Sequence, residues 1–394
     1  MKWNPFKKAE QRNNTPAYDT YYSSLPTGGD SSGVAVNTDT AESISAVYAC
    51  VAAISETVGS LPLYVFKRTE KGREKAAKHP LYKLLHDTPN DYQTALEFRE
   101  QLQRHVLLRG NAYAEIIRDN AGRPSALLPV HPDRVTILRS AQGKLLYDVV
   151  DDSGRTKRLL ADEVLHIKYH SDDGVIGRSP IQVARDTIGL ALAERTHGSK
   201  MFEQGTKLSG VIETAPGTTK EQAGQIRDSW ATGQAGVNNH GKTAVLPQGA
   251  QFKTVSMTLE DADWIAARRL SIVECCRLFR VPPVMVADME AANYSNVVEL
   301  ARFFVTNTLR RHLVAWEQAI NRVLINDPAA YFVEHNVEGL LRGDSLTRAQ
   351  FYERAINDRW MLRSEVRRIE NLPTIEGIDD AAPREAEREV QAQA

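Results

Sequence analysis

The sequence predicts an α+β protein, with short strands concentrated in the first half of the chain and long helices in the second. Two observations carry this prediction. Between residues 111 and 169, short apolar runs alternate with turn sequences such as Asp152-Ser153-Gly154, which is typical of strands. Further along, two long apolar-striped segments, about 259–280 and 296–325, are joined by a sequence containing Pro282-Pro283. Paired prolines end a helix, so we expect two long helices flanking a break.

The elements of the first half follow from periodicity and from helix-ending residues. Residues 1–40 are rich in Asn, Ser, Thr, Gly and Pro, which predicts a flexible arm. Apolar residues at helical spacing predict a helix over about 44–58, and a strand follows at 63–66. A short helix begins near His79-Pro80, and a longer one ends before Gly110. The remaining predicted elements are the helix 94–108 and strands 111–118, 125–130, 134–139, 145–150 and 163–169.

The second half is predicted to be mostly helical. A helix over 181–204 is followed by a small α/β insertion, then by the two long helices. The second long helix would be roughly 45 Å long at the usual rise per residue. Its apolar stripe comprises Val298, Ala301, Val305, Leu309, Leu313, Trp316, Ile320 and Val323. The other predicted elements are strands 209–213, 243–247 and 251–257 and helices 219–232, 344–357 and 364–371.

Composition and charge exclude several classes of protein. The chain of 394 residues carries 49 Lys and Arg against 50 Asp and Glu, a formal net charge of −1. A protein that grips DNA through its phosphates usually has a basic excess, so only weak contact with DNA remains open. No apolar run is long enough to span a membrane, and the start of the chain lacks the apolar core of a secretory signal. The three cysteines are predicted to be reduced, buried thiols.

One motif suggests an alternative function. Residues 236–243, from Gly236 to Gly241-Lys242-Thr243, match the phosphate-loop pattern G-x4-G-K-T. A working phosphate loop follows a strand and opens a helix, because the N-terminal amides of that helix bind the phosphates. Here the predicted order is a helix before the motif and a strand after it. We therefore favour a glycine-rich turn, and keep a phosphate-loop ATPase using Lys242 and Thr243 as the alternative.

No other pattern indicates catalysis. His166 and His170 would lie about 13 Å apart along a strand, too far apart to share one metal ion. The sequence contains neither G-x-S-x-G nor H-E-x-x-H, and no spacing of paired carboxylates that suggests an active site. We therefore expect a protein without catalytic residues, cofactor or metal.

Several segments taken in order resemble the portal proteins of tailed bacteriophages, of the siphophage type. The resemblance extends over about residues 40–380, and the order and spacing of its short motifs make it specific. The segments that carry it are residues 43–51 and 59–63, His79-Pro80-Leu81-Tyr82, Thr88-Pro89-Asn90, residues 107–113 (Leu-Leu-Arg-Gly-Asn-Ala-Tyr), residues 128–132, Gly177-Arg178-Ser179-Pro180-Ile181, Phe279-Arg280-Val281-Pro282-Pro283, Tyr294-Ser295-Asn296 and Glu370-Asn371-Leu372-Pro373.

This resemblance implies a ring, typically of twelve subunits, at one vertex of the capsid, through which double-stranded DNA is packaged and later ejected. The implied partners are other copies of the chain, the large terminase, a head–tail adaptor and the major capsid or scaffold protein. Assembly would take place in the host bacterial cytoplasm, with no membrane involved. A head–tail adaptor is the other capsid-associated class, but adaptors are far shorter chains.

The resemblance also implies a portal fold with named regions. They are an arm at 1–40, a mixed α/β wing at 41–180, stem helices at 181–207 and 259–282, a small α/β clip at 208–258, a tunnel loop at 283–295, a long helix returning into the wing at 296–343, and a helical crown at 344–394.

The tunnel loop is the region that the resemblance places against the DNA. Its candidate DNA-facing residues are Met285, Asp288, Met289, Glu290, Asn293 and Tyr294. No Lys or Arg occurs between Val281 and Ser295, so we expect a neutral-to-acidic constriction. A conduit in which DNA slides should not bind phosphates strongly, because every neutralised phosphate adds affinity.

The first long helix is predicted to carry apolar residues on more than one side, as a helix buried between neighbours does. A ring of identical subunits needs such head-to-tail contacts. Burial within a single subunit is the other explanation, and the sequence leaves both open. The candidate inter-subunit residues are Ile265, Leu270, Ile272, Val273 and Phe279.

Overall fold

The computed structural model describes residues 19–22, 34–70, 72–203, 210–214, 218–234, 251–254, 259–288, 294–337, 345–370, 372–373 and 375–379. The chain divides into two compact units. The first comprises Met1–Leu25, Ala49–Pro180 and Phe279–Ala394, and the second comprises Pro26–Tyr48 and Ile181–Leu278. Helices and strands both contribute substantially, which confirms the predicted α+β class.

The first half contains four helices and nine strands among its described residues. They are β1 (Asp19–Tyr22), α1 (Thr38–Glu42), α2 (Ser45–Ser60), β2 (Leu63–Thr69), β3 (Gly72–Lys75), α3 (Pro80–His86), α4 (Ala95–Arg109), β4 (Asn111–Arg118), β5 (Pro124–Val130), β6 (Val135–Arg139), β7 (Leu145–Val150), β8 (Thr156–Leu160) and β9 (Val164–Lys168).

The second half is mainly helical. Its described elements are α5 (Pro180–Val183), α6 (Arg185–Glu203), β10 (Gly210–Glu213), α7 (Lys220–Gln234), β11 (Gln251–Thr254), α8 (Leu259–Phe279), a 3-10 turn (Pro283–Val286), α9 (Tyr294–Phe303), a π-helical segment (Phe304–Leu309), α10 (Arg310–Val323), β12 (Tyr331–His335), α11 (Ser345–Asn357) and α12 (Arg363–Ile369).

Three antiparallel sheets organise the first unit. Their strand orders are β1-β6-β7-β8, β5-β4-β9 and β12-β2-β3. A buried cluster packs residues of the first two sheets together, with Tyr113 of β4 against Ile137 of β6 and Tyr147 of β7 among its members. Helix α10 then packs on β9 and on β12. The second half of the chain therefore completes the core of the first.

Helix α4 illustrates how local sequence sets the ends of an element. Thr94 caps its first turn and exchanges hydrogen bonds with Glu97, as in a capping box. At the other end Gly110 has φ 77°, a left-handed conformation that glycine adopts without steric cost. The chain reverses there and enters β4 directly.

The second unit holds α6 and most of α8. The hydroxyl of Ser271 on α8 donates to the Glu194 carboxylate on α6 over 2.6 Å. Arg195 donates to the carbonyl oxygen of Ser43, which follows α1. Strands β10 and β11 pair antiparallel, with Val211 opposite Lys253.

Several elements differ from the expectation. The segment predicted as a flexible arm contains β1, which pairs with β6 over four residues. Strands β3, β8 and β12 were not predicted, because they are short and have polar or mixed sequences; β3 and β8 lie at sheet edges, where burial imposes little pattern. The second long helix runs without a break from Tyr294 to Val323, but its middle, Phe304–Leu309, is π-helical rather than α-helical.

Candidate functional site: the break between the long helices

The break is a compact turn at its first residues. Helix α8 ends at Phe279, and Arg280 takes a left-handed conformation with φ 57°. Val281 and Pro282 are buried, and the 3-10 turn Pro283–Val286 follows. Because proline fixes its own φ and lacks an N–H, it suits the start of such a turn. The expectation that this segment is not helical is therefore corrected to a single 3-10 turn.

Backbone hydrogen bonds close this turn on itself. The amide of Met285 donates to the carbonyl of Pro282 over 2.9 Å, and that of Asp288 donates to the carbonyl of Pro283 over 3.1 Å. Ala287 ends the turn with φ 64°. The described part of the predicted tunnel loop thus has a defined conformation up to Asp288.

The π-helical segment anchors the break from the other side. Its Thr308 side chain is 3% exposed, and the hydroxyl donates to the carbonyl oxygen of Arg280. This carbonyl lies at the C-terminal end of α8, where the helix provides no backbone N–H donor for its last carbonyl groups. Phe304 and Leu309 are buried beside Thr308. A π-bulge adds a residue to a helix and often occurs at functional positions.

A buried polar network continues from this anchor along α10. The Gln103 side-chain amide donates to Nδ1 of His312 over 2.9 Å, and its oxygen accepts from the indole N–H of Trp316 over 2.9 Å. Burial, reinforced by Arg311, His170 and Arg280, lowers the pKa of His312 to about 3. His312 is therefore neutral, with its proton on Nε2. The single side chain of Gln103 thus pairs with both His312 and Trp316.

A cationic group lies next to this network. The Arg311 guanidinium stands 4.8 Å from the centre of the Tyr169 ring, and its nitrogen lies 3.3 Å from Nδ1 of His170. Tyr169 also stacks on His312 with ring centres 5.6 Å apart. The pKa of His170 is lowered by burial and by Arg311 and Arg280. The anchored base of the break is therefore positively charged, which the sequence reading of the loop alone did not predict.

Two of the sequence motifs meet at a second close contact in the same unit. Asn111, fully buried, donates to the Gly177 carbonyl over 2.8 Å and accepts from the Gly177 amide over 2.7 Å. The Ser179 hydroxyl donates to the Leu108 carbonyl over 2.6 Å. Gly110 and Gly177 lie so close that a Cβ on either would overlap the backbone of the other segment. Residues 108–111 and 177–179 of these motifs therefore form one clamp just before α5.

The predicted loop residues fall partly within the described chain. Met285 and Asp288 are half-buried in the 3-10 turn and just after it. Tyr294 begins α9, but its side chain lies outside the described residues, as do Met289, Glu290 and Asn293 altogether.

The predicted stem residues differ in their exposure. Leu270 is 53% exposed, Ile272 and Val273 are half-buried, and Phe279 is 2% exposed within the single chain. Ile265 lies in α8 with its side chain outside the described residues. Among the four candidates whose side chains are described, Leu270 is the most exposed, whereas Phe279 is already covered.

The phosphate-loop match lies outside the described residues, but the elements around it are visible. Helix α7 ends at Gln234, directly before the motif, and β11 begins at Gln251 after it. The nearest described elements are thus a helix before the motif and a strand after it, whereas phosphate binding requires a strand before it and a helix opening from it.

His166 and His170 have separate partners. Nε2 of His166 lies 3.0 Å from the Asn111 side-chain oxygen, and its Nδ1 lies 3.2 Å from the Tyr147 hydroxyl. Burial lowers the pKa of His166 well below its usual value. Across the described part of the chain, no three His, Cys, Asp or Glu side chains are grouped so as to hold a metal ion.

Comparison with known proteins gives consistent likenesses. The family model described as "Phage portal protein" matches residues 45–371. The portal protein of Enterobacteria phage HK97 is 32% identical over 366 residues, covering 91% of this chain and 85% of that protein. The probable portal protein of Streptomyces phage phiC31 is 28% identical over 373 residues, covering 89% of this chain and 79% of that protein.

A solved structure shows the same fold. A chain in the neck of the native gene transfer agent particle, computed with C12 symmetry, has a TM-score of 0.63 to this chain at 22% sequence identity. The match covers 86% of this chain and 93% of that one. The family model and the two phage relatives define the class as a protein of phage particles. The chain belongs to the phage portal protein family.

No helix of the described residues is long and apolar enough to cross a membrane.

Proposed function

We propose that the chain assembles into a closed ring at one vertex of a phage capsid, and that double-stranded DNA is packaged and later ejected through its centre. The family match carries this proposal, because it extends over residues 45–371 and so includes α8, the break and α10. The C12 symmetry given for the neck of the gene transfer agent particle supports a ring of twelve subunits.

Each region of the chain would form a different part of the ring. The wing would be 41–180, the stem 181–207 and 259–282, and the clip 208–258. The break at 283–295 would form the tunnel loop, 296–343 would return into the wing, and 344–394 would form the crown. The contacts of α10 with β9 and β12 support the return into the wing.

The tunnel loop would be held rigidly at its base and would contact DNA weakly beyond it. Thr308 fixes the Arg280 carbonyl at the start of the break. From Val281 to Ser295 the sequence has no Lys or Arg but carries Asp288 and Glu290. Such a segment repels phosphates and lets DNA slide. The candidate DNA-facing residues remain Met285, Asp288, Met289, Glu290, Asn293 and Tyr294.

The subunits of the ring would meet along the stem helices. Leu190 on α6 is 51% exposed and Leu270 on α8 is 53% exposed. In a ring, a neighbouring subunit would cover these two apolar side chains and remove them from water, which is favourable. Of the candidate residues, Leu270 would contribute most, with Ile272 and Val273 beside it, while Phe279 would support the helix from within its own subunit.

The ring itself would not be catalytic. We propose that the large terminase docks on the clip during packaging and supplies the ATP hydrolysis, and that a head–tail adaptor replaces it afterwards. The wing would face the major capsid or scaffold protein, with assembly in the host cytoplasm. Nucleotide binding by wild-type protein, lost on Lys242→Ala, would contradict this and favour the phosphate-loop alternative.

Negative-stain electron microscopy of the purified protein tests the proposal directly. We expect closed rings with a central hole. A field containing only monomers would overturn the proposal.

A further inference from the structure

The sheet β12-β2-β3 has one face built from cations and aromatic rings, which we call the cation–aromatic face. Alternate residues of a strand point to the same side, and directly paired residues share a face. Phe66 pairs with Phe332 and Lys75, Arg68 pairs with Arg73, and Tyr64 pairs with Glu334. The face therefore comprises Tyr64, Phe66, Arg68, Arg73, Lys75, Phe332 and Glu334.

Each of three cations lies over a ring of its own. The Arg68 guanidinium is 4.5 Å from the centre of the Phe332 ring, and that of Arg73 is 4.8 Å from the centre of Phe66. The Lys75 ammonium is 3.9 Å from the centre of the Tyr64 ring. All three cations are exposed, while the rings beneath them are buried or half-buried. Cation–π attraction thus favours these positions for the three charged side chains at the surface.

Helix α3 extends the face with two more rings. Tyr64 stacks on Tyr82 with ring centres 6.2 Å apart and on His86 with centres 5.2 Å apart, and both pairs are within 18° of parallel. The result is a continuous aromatic shelf bordered by exposed positive charge. Ordering this surface before a partner arrives reduces the entropy lost on binding.

The sequence around this face is strongly basic, although the chain as a whole is not. The whole chain has 49 Lys and Arg against 50 Asp and Glu. The stretch 67–83 has only two acidic residues, Glu70 and Glu74, and seven basic ones: Lys67, Arg68, Lys71, Arg73, Lys75, Lys78 and Lys83. A local positive excess on a neutral chain favours a partner of negative charge.

We propose that the cation–aromatic face docks an acidic segment of another protein. The face already holds one carboxylate, because Glu334 forms an ion pair with Arg73 over the Phe66 ring. This pair shows the chemistry that the face accepts, a carboxylate bound by a cation that is seated on a ring. Arg68 and Lys75 offer the same arrangement, and neither has an acidic partner among the contacts of the described residues.

Glu334 also favours a protein over a nucleic acid as the partner. A continuous phosphate backbone crossing the face would meet this carboxylate and be repelled by it. An acidic peptide can pair its own carboxylates with Arg68 and Lys75. It can also place a neutral residue opposite Glu334, which avoids the repulsion. The proposal goes beyond DNA conduction and does not depend on ring formation.

Fluorescence anisotropy with a short labelled peptide of alternating glutamate and alanine tests the docking of acidic segments. We expect Arg68→Gln with Lys75→Gln to weaken binding of this peptide by about tenfold, since two charge-assisted contacts are lost. The matched control is Lys144→Gln with Lys220→Gln, which removes the same net charge at exposed positions outside the basic stretch 67–83. The control should bind the peptide as tightly as the wild type, within about twofold.

The variant Phe332→Leu separates the proposed site from a general effect of charge. It keeps every cation but removes the ring beneath Arg68, so we expect peptide binding to weaken measurably. Equal weakening in the face and control pairs, with no effect of Phe332→Leu, would overturn the proposal. So would tighter binding of a short duplex DNA, lost in the same face variants. Electron microscopy of each variant checks that its assembly is unchanged.

Discussion

The Thr308 hydroxyl donates a hydrogen bond to the carbonyl oxygen of Arg280, joining the π-helical segment to the last turn before the break. Both groups lie at irregular points of their helices, since Arg280 has φ 57° and Thr308 sits within the π-helical segment. Arg280 supplies a carbonyl that has no donor within its own helix, and Thr308 supplies a hydroxyl that points away from its own helix.

Replacing Thr308 by Val should remove this bond while preserving side-chain shape. The Arg280 carbonyl would then lose this donor at a partly buried site, and we expect the free energy of unfolding to fall by about 1 kcal/mol. Thr308→Ser should retain most of the stability. The exposed Thr306 of the same segment provides the control, because Thr306→Val should change little. Chemical denaturation followed by circular dichroism measures the difference, and equal effects at both positions would refute the anchor.

The contact of Gly110 with Gly177 predicts a severe effect of one methyl group. In Gly177→Ala the added Cβ would overlap the Gly110 carbonyl oxygen and lie 2.9 Å from the Tyr169 amide nitrogen. We expect a loss of about 3 kcal/mol or more, seen as a large drop in Tm or as insoluble protein. Gly122→Ala is the comparison, since Gly122 has open space around it and φ 74°. That variant should lose only about 1 kcal/mol.

Arg99 is a buried cation that donates hydrogen bonds to backbone carbonyl groups. It is 5% exposed and donates to the carbonyl oxygens of Gly59 and Leu85, at the ends of α2 and α3. Burial lowers its pKa to about 10, so it stays charged at neutral pH. Arg99→Met should lower the free energy of unfolding by about 3 kcal/mol, because two buried carbonyls lose a charged donor. Arg104→Met, a half-buried position on the same helix, should cost far less.

Buried neutral histidines predict an acid-sensitive fold. Burial is the main cause that lowers the pKa of both His105 and His312 to about 3, below the value near 6.5 of an unfolded chain. Between these values the unfolded state binds the extra protons, so stability is complete above about pH 6.5 and falls as the pH decreases.

The expected slope is about 1.4 kcal/mol per pH unit for each such histidine. His312→Asn keeps an acceptor for Gln103 and removes one titrating group. Its free energy of unfolding should therefore fall less steeply than that of the wild type between about pH 6.5 and pH 5. Parallel slopes for the two proteins would show that His312 is not involved.

The proposed stem contact predicts a specific loss of assembly. Leu270→Arg should reduce the fraction of closed rings in electron micrographs and in size-exclusion chromatography, because a charge would be buried between subunits. Leu160 in β8 is exposed to a similar extent, 52% against 53%, and Leu160→Arg provides the control. Normal rings from Leu270→Arg would contradict the stem contact without affecting the proposal of a ring.

The long helices and the central strands could be predicted from sequence because their burial imposes a clear period. Residues 259–280 were predicted as a helix that proves to be Leu259–Phe279, and 111–118 as a strand with those bounds. The π-helical segment escaped prediction because Val305, Leu309 and Leu313 already fit an unbroken helix. The signal that was available is Thr308, a polar residue that falls within the apolar stripe and proves to be buried.

The clamp was present in the sequence only as two separate motifs. Nothing in the local pattern of residues 107–113 and 177–181 indicates that they touch, since the contact depends on backbone approach between Gly110 and Gly177. The charge of the loop base was missed for a similar reason. Arg280 and Arg311 are 31 positions apart in the sequence and become neighbours only through the fold.

The pairing of β12 with β2 has a consequence for synthesis on the ribosome. Arg73 and Glu334 form an ion pair although 261 positions separate them. During translation at about 5–20 residues per second, β2 would wait roughly 13–50 s for its neighbour to emerge. Throughout that interval one edge of the nascent sheet is uncovered and able to pair wrongly. Completion of this sheet should therefore be limited by the time needed to synthesise the intervening chain rather than by strand pairing itself.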